Sequence, residues 1–312
     1  MKTFVPDYYP QFQCIAGKCR HSCCEGWGID IDEESLARFK AVGGEIGRRL
    51  AEDIVETEEC ASFRLKEGDR CPFLNEKGLC DLVIELGEDS LCQICTDHPR
   101  YRSFFADRDE MGLGLCCEEA ARIVLNWPEK ARWIVWEDDG FEEELPEEER
   151  VLMDVRAALI GIMQRREEPV EKRVENMLEA AGIEWPERSM AQWAQFLLGL
   201  ERLDKIWTKR LEALCCEDAP ARDCALPDTP FEQLMVYYLM RHMPGALKDG
   251  DMQGRLLLCV LMWKIVRAIA AVERADMEGL ADIARMCSSE IEYSDANMED
   301  ALYELDELSA QG

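Results

Sequence analysis

Cysteines occur in tight groups in the first third of the chain, and this grouping limits the fold more than any other feature of the sequence. Eleven of the sixteen cysteines precede residue 125, and ten of these form four groups beside glycine, proline or other turn residues. Turns can aim several sulfurs at one point, whereas a helix or a strand cannot, so the spacing predicts metal binding. The predicted ligands are Cys14, Cys19, Cys23 and Cys24, then Cys71 and Cys80, then Cys92 and Cys95, and finally Cys116 and Cys117.

The spacing of these groups leaves the identity of the metal open. Only Cys92-x2-Cys95 and Cys14-x4-Cys19 resemble the paired cysteines of zinc sites. A cuboidal iron–sulfur cluster also takes four thiolates, but the common ferredoxin spacings are absent. Ten thiols exceed the needs of one four-coordinate site. The sequence therefore predicts either two sites or one site with further cysteines packed around it.

The six remaining cysteines stand outside the four groups. Because cysteine behaves as a small hydrophobic side chain that is commonly buried, we expect packing roles for Cys60, Cys215, Cys216, Cys224, Cys259 and Cys287. A large chain with so many cysteines is more typical of proteins in a reducing compartment than of small secreted domains cross-linked by disulfides. The first twenty residues contain no apolar run typical of a signal peptide. We therefore expect a cytoplasmic protein.

The charge of the chain limits its partners. The sequence has 65 acidic and 36 basic residues, which gives a formal net charge of −29. Such a field repels phosphates, so we expect no binding to nucleic acid or to an anionic membrane, and a basic or neutral protein partner fits better. The most apolar segment, residues 256–272, contains Lys264 and Arg267 and is short for a membrane span, which predicts a buried helix.

The sequence pattern changes near residue 135. Residues 1–135 contain many glycines and mostly lack a helical period. In residues 151–312, apolar positions recur at steps of three and four. Residues 136–150, WEDDGFEEELPEEER, contain nine acids and predict an acidic linker or, alternatively, a dock for a basic segment. We predict a mainly α fold in which an irregular cysteine-rich metal-binding region (1–135) with short β-strands precedes this linker (136–150) and a helical bundle (151–312).

Local signals predict individual elements. Alternating residues predict short strands at 28–32 and 61–65, and a turn follows at residues 67–69. Asp32 or Ser35 can cap a helix that runs to about Ile54. Apolar stripes and proline positions predict further helices at 151–163, 169–181, 193–214, 230–243, 253–275 and 297–309.

Several stretches resemble the flagellin lysine-N-methylases (FliB), which belong to a wider group with a CxxCxxCC-type zinc- or iron-chelating domain. The amino-terminal stretches are PDYYPQFQCIAGKCRHSCCEGWGIDID, RCPFLNEKGLCDLVIELGEDSLCQICTDHPRYRSFF and GLGLCCEEAARIVL. In the helical half they are LMVYYLMRHMPGALKDGD and EIEYSDANMEDAL, so the resemblance covers nearly the whole chain.

The resemblance implies methyl transfer from S-adenosylmethionine to lysine side chains of flagellin. It also implies an iron–sulfur cluster, of 4Fe-4S type with zinc as the alternative, held by the amino-terminal cysteines. No radical-SAM C-x3-C-x2-C triplet occurs, since Cys19-x3-Cys23 is followed at once by Cys24. Gly112-Leu113-Gly114 lacks the strand-turn-helix context of a Rossmann fingerprint. We therefore expect an unconventional cofactor site.

A deprotonated lysine amine can displace the methyl group of a sulfonium in one polar step. Aromatic and acidic side chains near the cysteines would suit both cations, although no catalytic residue stands out. The candidates are Tyr8, Tyr9, Trp27, Asp97, His98, Arg100 and Tyr101.

Two alternatives come from other functional classes. The first is a noncatalytic zinc- or iron-binding module for protein interaction, which would show no affinity for S-adenosylmethionine. The second is a redox protein that uses Cys92 and Cys95 as a dithiol pair, but no thioredoxin-like βαβ pattern surrounds them.

Overall fold

The structure is a computed structural model that describes residues 1–58, 60–141, 143–216 and 225–309. The chain divides into two compact units, and each is described by itself. Gln13–Arg100 forms the cysteine-rich unit, and Met1–Phe12 with Tyr101–Gly312 forms the helical unit. The mainly helical fold with short strands in the cysteine-rich region is confirmed. The division differs from the predicted boundary at residue 135, because strands before that residue pair within the helical unit.

The described residues form short strands and α-helices of varied length. The strands are β1 (Lys2–Pro6), β2 (Asp30–Ile31), β3 (Ile54–Glu56), β4 (Ala61–Phe63), β5 (Arg100–Phe104), β6 (Arg108–Leu113) and β7 (Trp133–Asp138). The α-helices are α1 (Glu33–Ala41), α2 (Gly44–Asp53), α3 (Asp81–Leu86), α4 (Gln93–Asp97), α5 (Glu118–Leu125), α6 (Glu147–Met163), α7 (Val170–Ala181), α8 (Met190–Leu197), α9 (Lys205–Leu214), α10 (Asp228–His242), α11 (Ala246–Asp249), α12 (Met252–Glu273), α13 (Met277–Cys287) and α14 (Asp295–Ser309).

The cysteine-rich unit is built on a small antiparallel sheet in the order β2-β4-β3. Helix α1 begins as predicted, because the Asp32 carboxylate accepts a hydrogen bond from the Ser35 amide at 2.8 Å. The single helix predicted to run to about Ile54 is instead two helices, α1 and α2. The chain turns between them at Gly44, whose φ of +75° lies in the left-handed region that favours glycine.

Aromatic rings and thiols share the core of the cysteine-rich unit. Phe63 packs against Phe39 and Phe73, with ring centroids 5.9 and 5.1 Å away. Cys71 and Cys92 are buried in the same apolar cluster. Thiol side chains are therefore part of the small apolar core of this unit.

The helical unit contains a four-stranded sheet that the sequence reading missed. Its order is β5-β6-β1-β7, with β1 parallel to β6 and antiparallel to β7. Within residues 136–150, which the sequence predicts as an acidic linker, residues 136–138 complete β7 and residues 147–150 begin α6. Glu142, within that segment, lies outside the described residues.

Helices α10 and α12 form the centre of the helical unit and are buried on nearly every side. Trp263 of α12 fixes their contact by donating its indole N–H to the Phe231 carbonyl of α10 at 2.9 Å. Most of the predicted helices are present, but the stretch 193–214 is two helices, because Asp204 caps a new helix at Lys205. No helix within the described residues has the length and apolar composition to cross a membrane.

The cysteines outside the four groups lie in different environments. Cys259 and Cys287 are buried in the helical unit, as expected for packing residues. Cys60 and Cys216 are exposed, so the packing role predicted for them was wrong, and Cys215 is half-buried. Cys224 lies outside the described residues.

Candidate functional site

Five of the ten predicted ligands come together in the cysteine-rich unit. Cys71 and Cys92 lie in its apolar core, and Cys24, Cys80 and Cys95 pack against that core. We refer to these five side chains as the thiol cluster. All five are free thiols. The sulfur atoms of Cys92 and Cys95 are 3.4 Å apart, a hydrogen-bond distance that is far longer than a disulfide.

Electrostatic effects within the thiol cluster show how closely its members approach. Burial, together with the neighbouring Cys24 and Cys80, raises the pKa of Cys71 to about 12. The hydrogen bond with Cys92 raises the pKa of Cys95, as do burial and the nearby Cys24 and Cys71. A hydrogen bond from Cys23 lowers the pKa of Cys24 to about 7, although burial opposes this. These thiols would repel one another as thiolates, and a bound cation would remove that repulsion.

Backbone contacts position the thiol cluster. The Cys71 amide donates to the Cys24 carbonyl at 2.8 Å, which joins two cysteine groups that lie far apart in sequence. Cys92 immediately precedes the short helix α4, and its carbonyl accepts from the Cys95 amide at 3.0 Å. The carboxylate of Asp32 accepts from the Gln93 amide at 2.8 Å while it also caps α1. Asp32 therefore holds the start of α4 against the start of α1.

The remaining ligands predicted in this unit lie outside the apolar core. Cys14 and Cys23 are exposed, and Cys19 is half-buried. The Cys19 thiol donates to the His21 carbonyl at 3.0 Å, and the Cys14 sulfur accepts from the Ala16 amide at 3.4 Å. Cys14 and Cys19 therefore lie outside the thiol cluster, whereas Cys23 contacts it through its hydrogen bond with Cys24.

Cys116 and Cys117 belong to the helical unit, where Cys116 lies beside Arg241 and Tyr293. Burial raises the pKa of Cys116 to about 12, while its hydrogen bond with Tyr293 and the charge of Arg241 oppose the shift. The Arg241 guanidinium lies over the rings of Tyr293 and Tyr101, 4.8 and 5.1 Å from their centroids. The structure thus gives Cys116 aromatic and cationic neighbours within its own unit.

Buried polar groups surround Arg241. Glu292 accepts from the Tyr237 hydroxyl at 2.9 Å, and its other oxygen lies 2.5 Å from His242 Nε2 and 3.5 Å from Arg241 Nε. Burial opposes ionisation, but Arg241 and then His242 lower the pKa of Glu292 to about 2. The Leu115 amide donates to the Tyr237 hydroxyl at 3.2 Å.

Glu292 ends a short π-helix, Ser288–Glu292, a feature common at functional sites. The sequence reading did not single out Arg241, His242 or Glu292 as functional residues. All three are charged or polar residues inside apolar stretches, and they lie in the two helical stretches that resemble the FliB family.

The aromatic candidates near the cysteines divide between the two units. Trp27 and His98 stack in the cysteine-rich unit with centroids 6.3 Å apart, and burial, with Arg100, lowers the pKa of His98 to about 4. Asp97 accepts from the Gln93 amide side chain at 2.7 Å. Tyr8, Tyr9 and Tyr101 are in the helical unit, where Tyr8 packs against Trp127 and Tyr9 against Trp136.

The thiol cluster supplies the donor atoms that iron–sulfur and zinc centres use. A single zinc ion with Zn–S bonds of 2.3 Å needs its sulfurs about 3.8 Å apart. Within the part of the chain that the structure describes, no three His, Cys, Asp or Glu side chains are arranged to hold one ion. A cuboidal cluster is larger than one ion and binds four thiolates further apart.

The fold and the thiol cluster define a mainly helical protein with a separate thiol-rich unit. No protein-family model and no solved structure matches the chain. The chain is similar to a lysine-N-methylase of Salmonella typhimurium, with 27% identity over 130 residues, which cover 40% of this chain and 32% of that protein. It is also similar to the flagellar biosynthetic protein FliU of Salmonella muenchen, with 26% identity over 130 residues, which cover 40% of this chain and 77% of that protein.

The resemblance to lysine-N-methylases expected from the sequence is thus confirmed, over a part of the chain. The match spans about a third of the length of the curated lysine-N-methylases.

Proposed function

We propose that this protein is an S-adenosylmethionine-dependent lysine N-methyltransferase that acts on flagellin in the cytoplasm. We further propose that its cysteine-rich unit carries an iron–sulfur cluster. The similarity to lysine-N-methylases and to a flagellar biosynthetic protein supports the reaction and the substrate.

One observation carries the metal part of this proposal. Four thiols from three separate cysteine groups, those of Cys24, Cys71, Cys80 and Cys95, are close enough for mutual electrostatic effects on their pKa values in a small core. Burying several thiols together without disulfides gives little stability by itself, whereas a metal centre converts them into cross-links. These four side chains, with Cys92 beside them, are the residues that would hold the cluster. When bound, the cluster would supply this cross-linking.

The reaction itself needs no redox partner. The lone pair of the lysine Nζ forms a bond to the methyl carbon while the carbon–sulfur bond of the sulfonium breaks and leaves its electrons on sulfur. The products are methyl-lysine and S-adenosylhomocysteine, and the proton of the amine passes to a base or to water. The protein must align nitrogen, carbon and sulfur and exclude water from them.

The charge of the chain suits this substrate class. A net charge of −29 attracts a segment that presents lysine side chains and raises its local concentration. The same field makes a phosphate-rich partner unfavourable, which agrees with a protein substrate.

Co-expression with a cognate flagellin tests the proposal directly. We expect mass increments of methyl groups on flagellin lysines, and iron with acid-labile sulfide in the enzyme purified without oxygen. The Cys71→Ser variant should lose both, whereas Cys60→Ser, at an exposed thiol of the same unit, should keep both. Unmethylated flagellin beside a folded, iron-loaded enzyme would refute the activity. Stoichiometric zinc in a colourless protein would refute the cluster, and absent cofactor binding would favour a noncatalytic module.

A further inference from the structure

Strand β7 (Trp133–Asp138) forms one edge of the four-stranded sheet in the helical unit. It pairs with β1 on one side, and no strand of the described residues pairs with its other side. The outward N–H and C=O groups of an edge strand can pair with a further strand. The β7 edge is therefore open to an extended segment of another chain.

Apolar side chains are exposed along this edge. Val135 and Trp136 of β7 are 51 and 44% exposed, and Phe141, which follows the strand, is 50% exposed. Large apolar side chains that are grouped on a surface mark sites of interaction with other proteins, whereas single ones are common everywhere. This group lies directly on the open edge of the sheet.

A β-bulge sets the position of Trp136. The register of β7 advances by two residues, from Val135 to Glu137, where β1 advances by one, so Trp136 has no partner on β1. Bulges re-aim the side chain of the extra residue. The Trp136 ring meets the Tyr9 ring edge-on at 5.3 Å between centroids, which holds it in place while it remains partly exposed. A fixed and exposed tryptophan is a typical anchor for a protein partner.

Carboxylates continue from the apolar side chains of this edge. Glu137, Asp138, Glu143 and Glu144 are exposed and form no ion pair within the part of the chain that the structure describes. Unpaired carboxylates beside an apolar patch attract lysine and arginine side chains, and the net charge of −29 strengthens that attraction. The charge of the edge therefore favours a cationic partner.

The same charges disfavour a second copy of this chain on the edge. Two copies would each carry a charge of −29. Parallel pairing of two β7 edges would place Glu137 and Asp138 against the same residues of the other copy, and antiparallel pairing would place them beside its apolar side chains. Arg132, the cation just before β7, already pairs with Asp7 at 3.3 Å. The acidic end thus acts against self-association and leaves the edge available to a basic segment.

We propose that the β7 edge docks an extended, lysine-rich segment of a protein partner. The segment adds a strand to the sheet, places apolar side chains against Val135 and Trp136, and places lysines beside Glu137 and Asp138. Main-chain hydrogen bonds then supply affinity, and the side chains supply specificity. The inference goes beyond the proposed function, because docking requires neither a cofactor nor methyl transfer.

Peptide binding to the full chain, followed by fluorescence anisotropy, tests this inference. The probes are labelled peptides of equal length. The first alternates valine with lysine, the second carries glutamate in place of lysine, and the third is the first with prolines in place of some valines. We expect the lysine peptide to bind with an affinity that falls as salt is added, and the glutamate peptide not to bind. The proline peptide should bind at least about tenfold more weakly, because proline cannot donate to a strand.

Variants of the edge locate the binding site. Trp136→Ala should weaken binding of the lysine peptide at least about tenfold, because aromatic anchors dominate interfaces. The matched control Tyr303→Ala removes an aromatic side chain that is 66% exposed on α14, and it should keep the wild-type affinity. The double variant Glu137→Lys with Asp138→Lys should lose the lysine peptide and gain the glutamate peptide, a reversal that loss of folding cannot produce.

Equal binding of the lysine peptide by wild type and a folded Trp136→Ala would overturn the proposal. Equal binding of the lysine and proline peptides would also overturn it, because the attraction would then come from charge alone. A dimer in sedimentation that Trp136→Ala dissociates would assign the edge to a second copy instead. Binding of the lysine peptide at this edge by a chain that never methylates flagellin would support the docking site and refute only the proposed function.

Discussion

The two units of this protein reach stability by different means. The helical unit buries α10 and α12 on nearly every side within one extensive apolar core. The cysteine-rich unit has a much smaller core, and five of the side chains in or against it are thiols. Small cores supply little net stability unless a disulfide or a metal adds to them. The comparison teaches that apolar burial can account for the folding of the helical unit, whereas the cysteine-rich unit has a small core to which the proposed cluster would add stability.

The largest expected effect comes from removing one buried thiol. Cys71→Ser replaces a side chain that is 5% exposed at the centre of the thiol cluster. If the proposed cluster is present, we expect loss of bound iron and sulfide, loss of methyl transfer, and loss of hydrogen-exchange protection across the cysteine-rich unit, because metal binding commonly couples to folding. Amides of α10 and α12 should stay protected. Equal loss of protection in both units would contradict the conclusion that they are stabilised by different means. The control variant is Cys60→Ser.

Breaking a buried ion pair should produce the next largest effect, and in the helical unit alone. Glu232 is fully buried and accepts from Arg173 at 2.7 Å and from Arg166 at 2.9 Å. Removing one partner of a buried pair leaves an uncompensated charge, which costs about 3–5 kcal/mol. We expect the Glu232→Gln variant to lose stability of that order in urea unfolding.

The matched control for Glu232→Gln is Glu175→Gln. Glu175 pairs with Lys172 on the surface, where exposed pairs contribute about 0–1 kcal/mol. Equal effects of the two substitutions would show that burial does not set the strength of ion pairs in this unit.

Acid should destabilise the helical unit through Glu292. Arg241 and His242 lower the pKa of this carboxyl from 4.5 to about 2, although burial opposes the shift. A lowered pKa means that the stabilisation is complete above pH 4.5 and is lost as the pH falls towards 2, because the unfolded chain then binds the proton more readily. The shift corresponds to about 3 kcal/mol. Urea unfolding between pH 6 and 3 should show a weaker pH dependence for Glu292→Gln, and parallel curves would contradict this.

The sequence predicted the features that depend on nearby residues. Apolar stripes predicted α6, α7, α10, α12 and α14 because helical periodicity is local. The parallel pairing of Lys2 with Arg108 was missed, since long-range register leaves no local signal.

Prediction of the candidate site was limited in the same way, because contacts between distant residues leave no local signal in the sequence. Turn chemistry identified the cysteine groups, but whether Cys24 or Cys14 lies against the apolar core depends on the path of the chain. Arg241 and Glu292 meet only through the packing of α10 against the π-helix that follows α13.

The smallest expected effect concerns Asp32, which connects two elements of the cysteine-rich unit. One carboxylate oxygen accepts from the Ser35 amide and the other from the Gln93 amide, both at 2.8 Å. Asp32→Ala removes the cap of α1 and the support of α4, where Cys92 and Cys95 stand. Loss of a helix cap costs about 1 kcal/mol.

We expect a modest fall in the unfolding midpoint of the cysteine-rich unit and partial loss of iron on dialysis against a chelator. The control is Asp30→Ala, at an exposed position two residues earlier, which should leave both quantities unchanged. If Asp32→Ala weakens iron retention while the metal-free protein keeps its wild-type stability, Asp32 acts by positioning the thiols. If stability falls and iron retention is unchanged, Asp32 acts only as a cap, and the thiol cluster does not need α4 held in place.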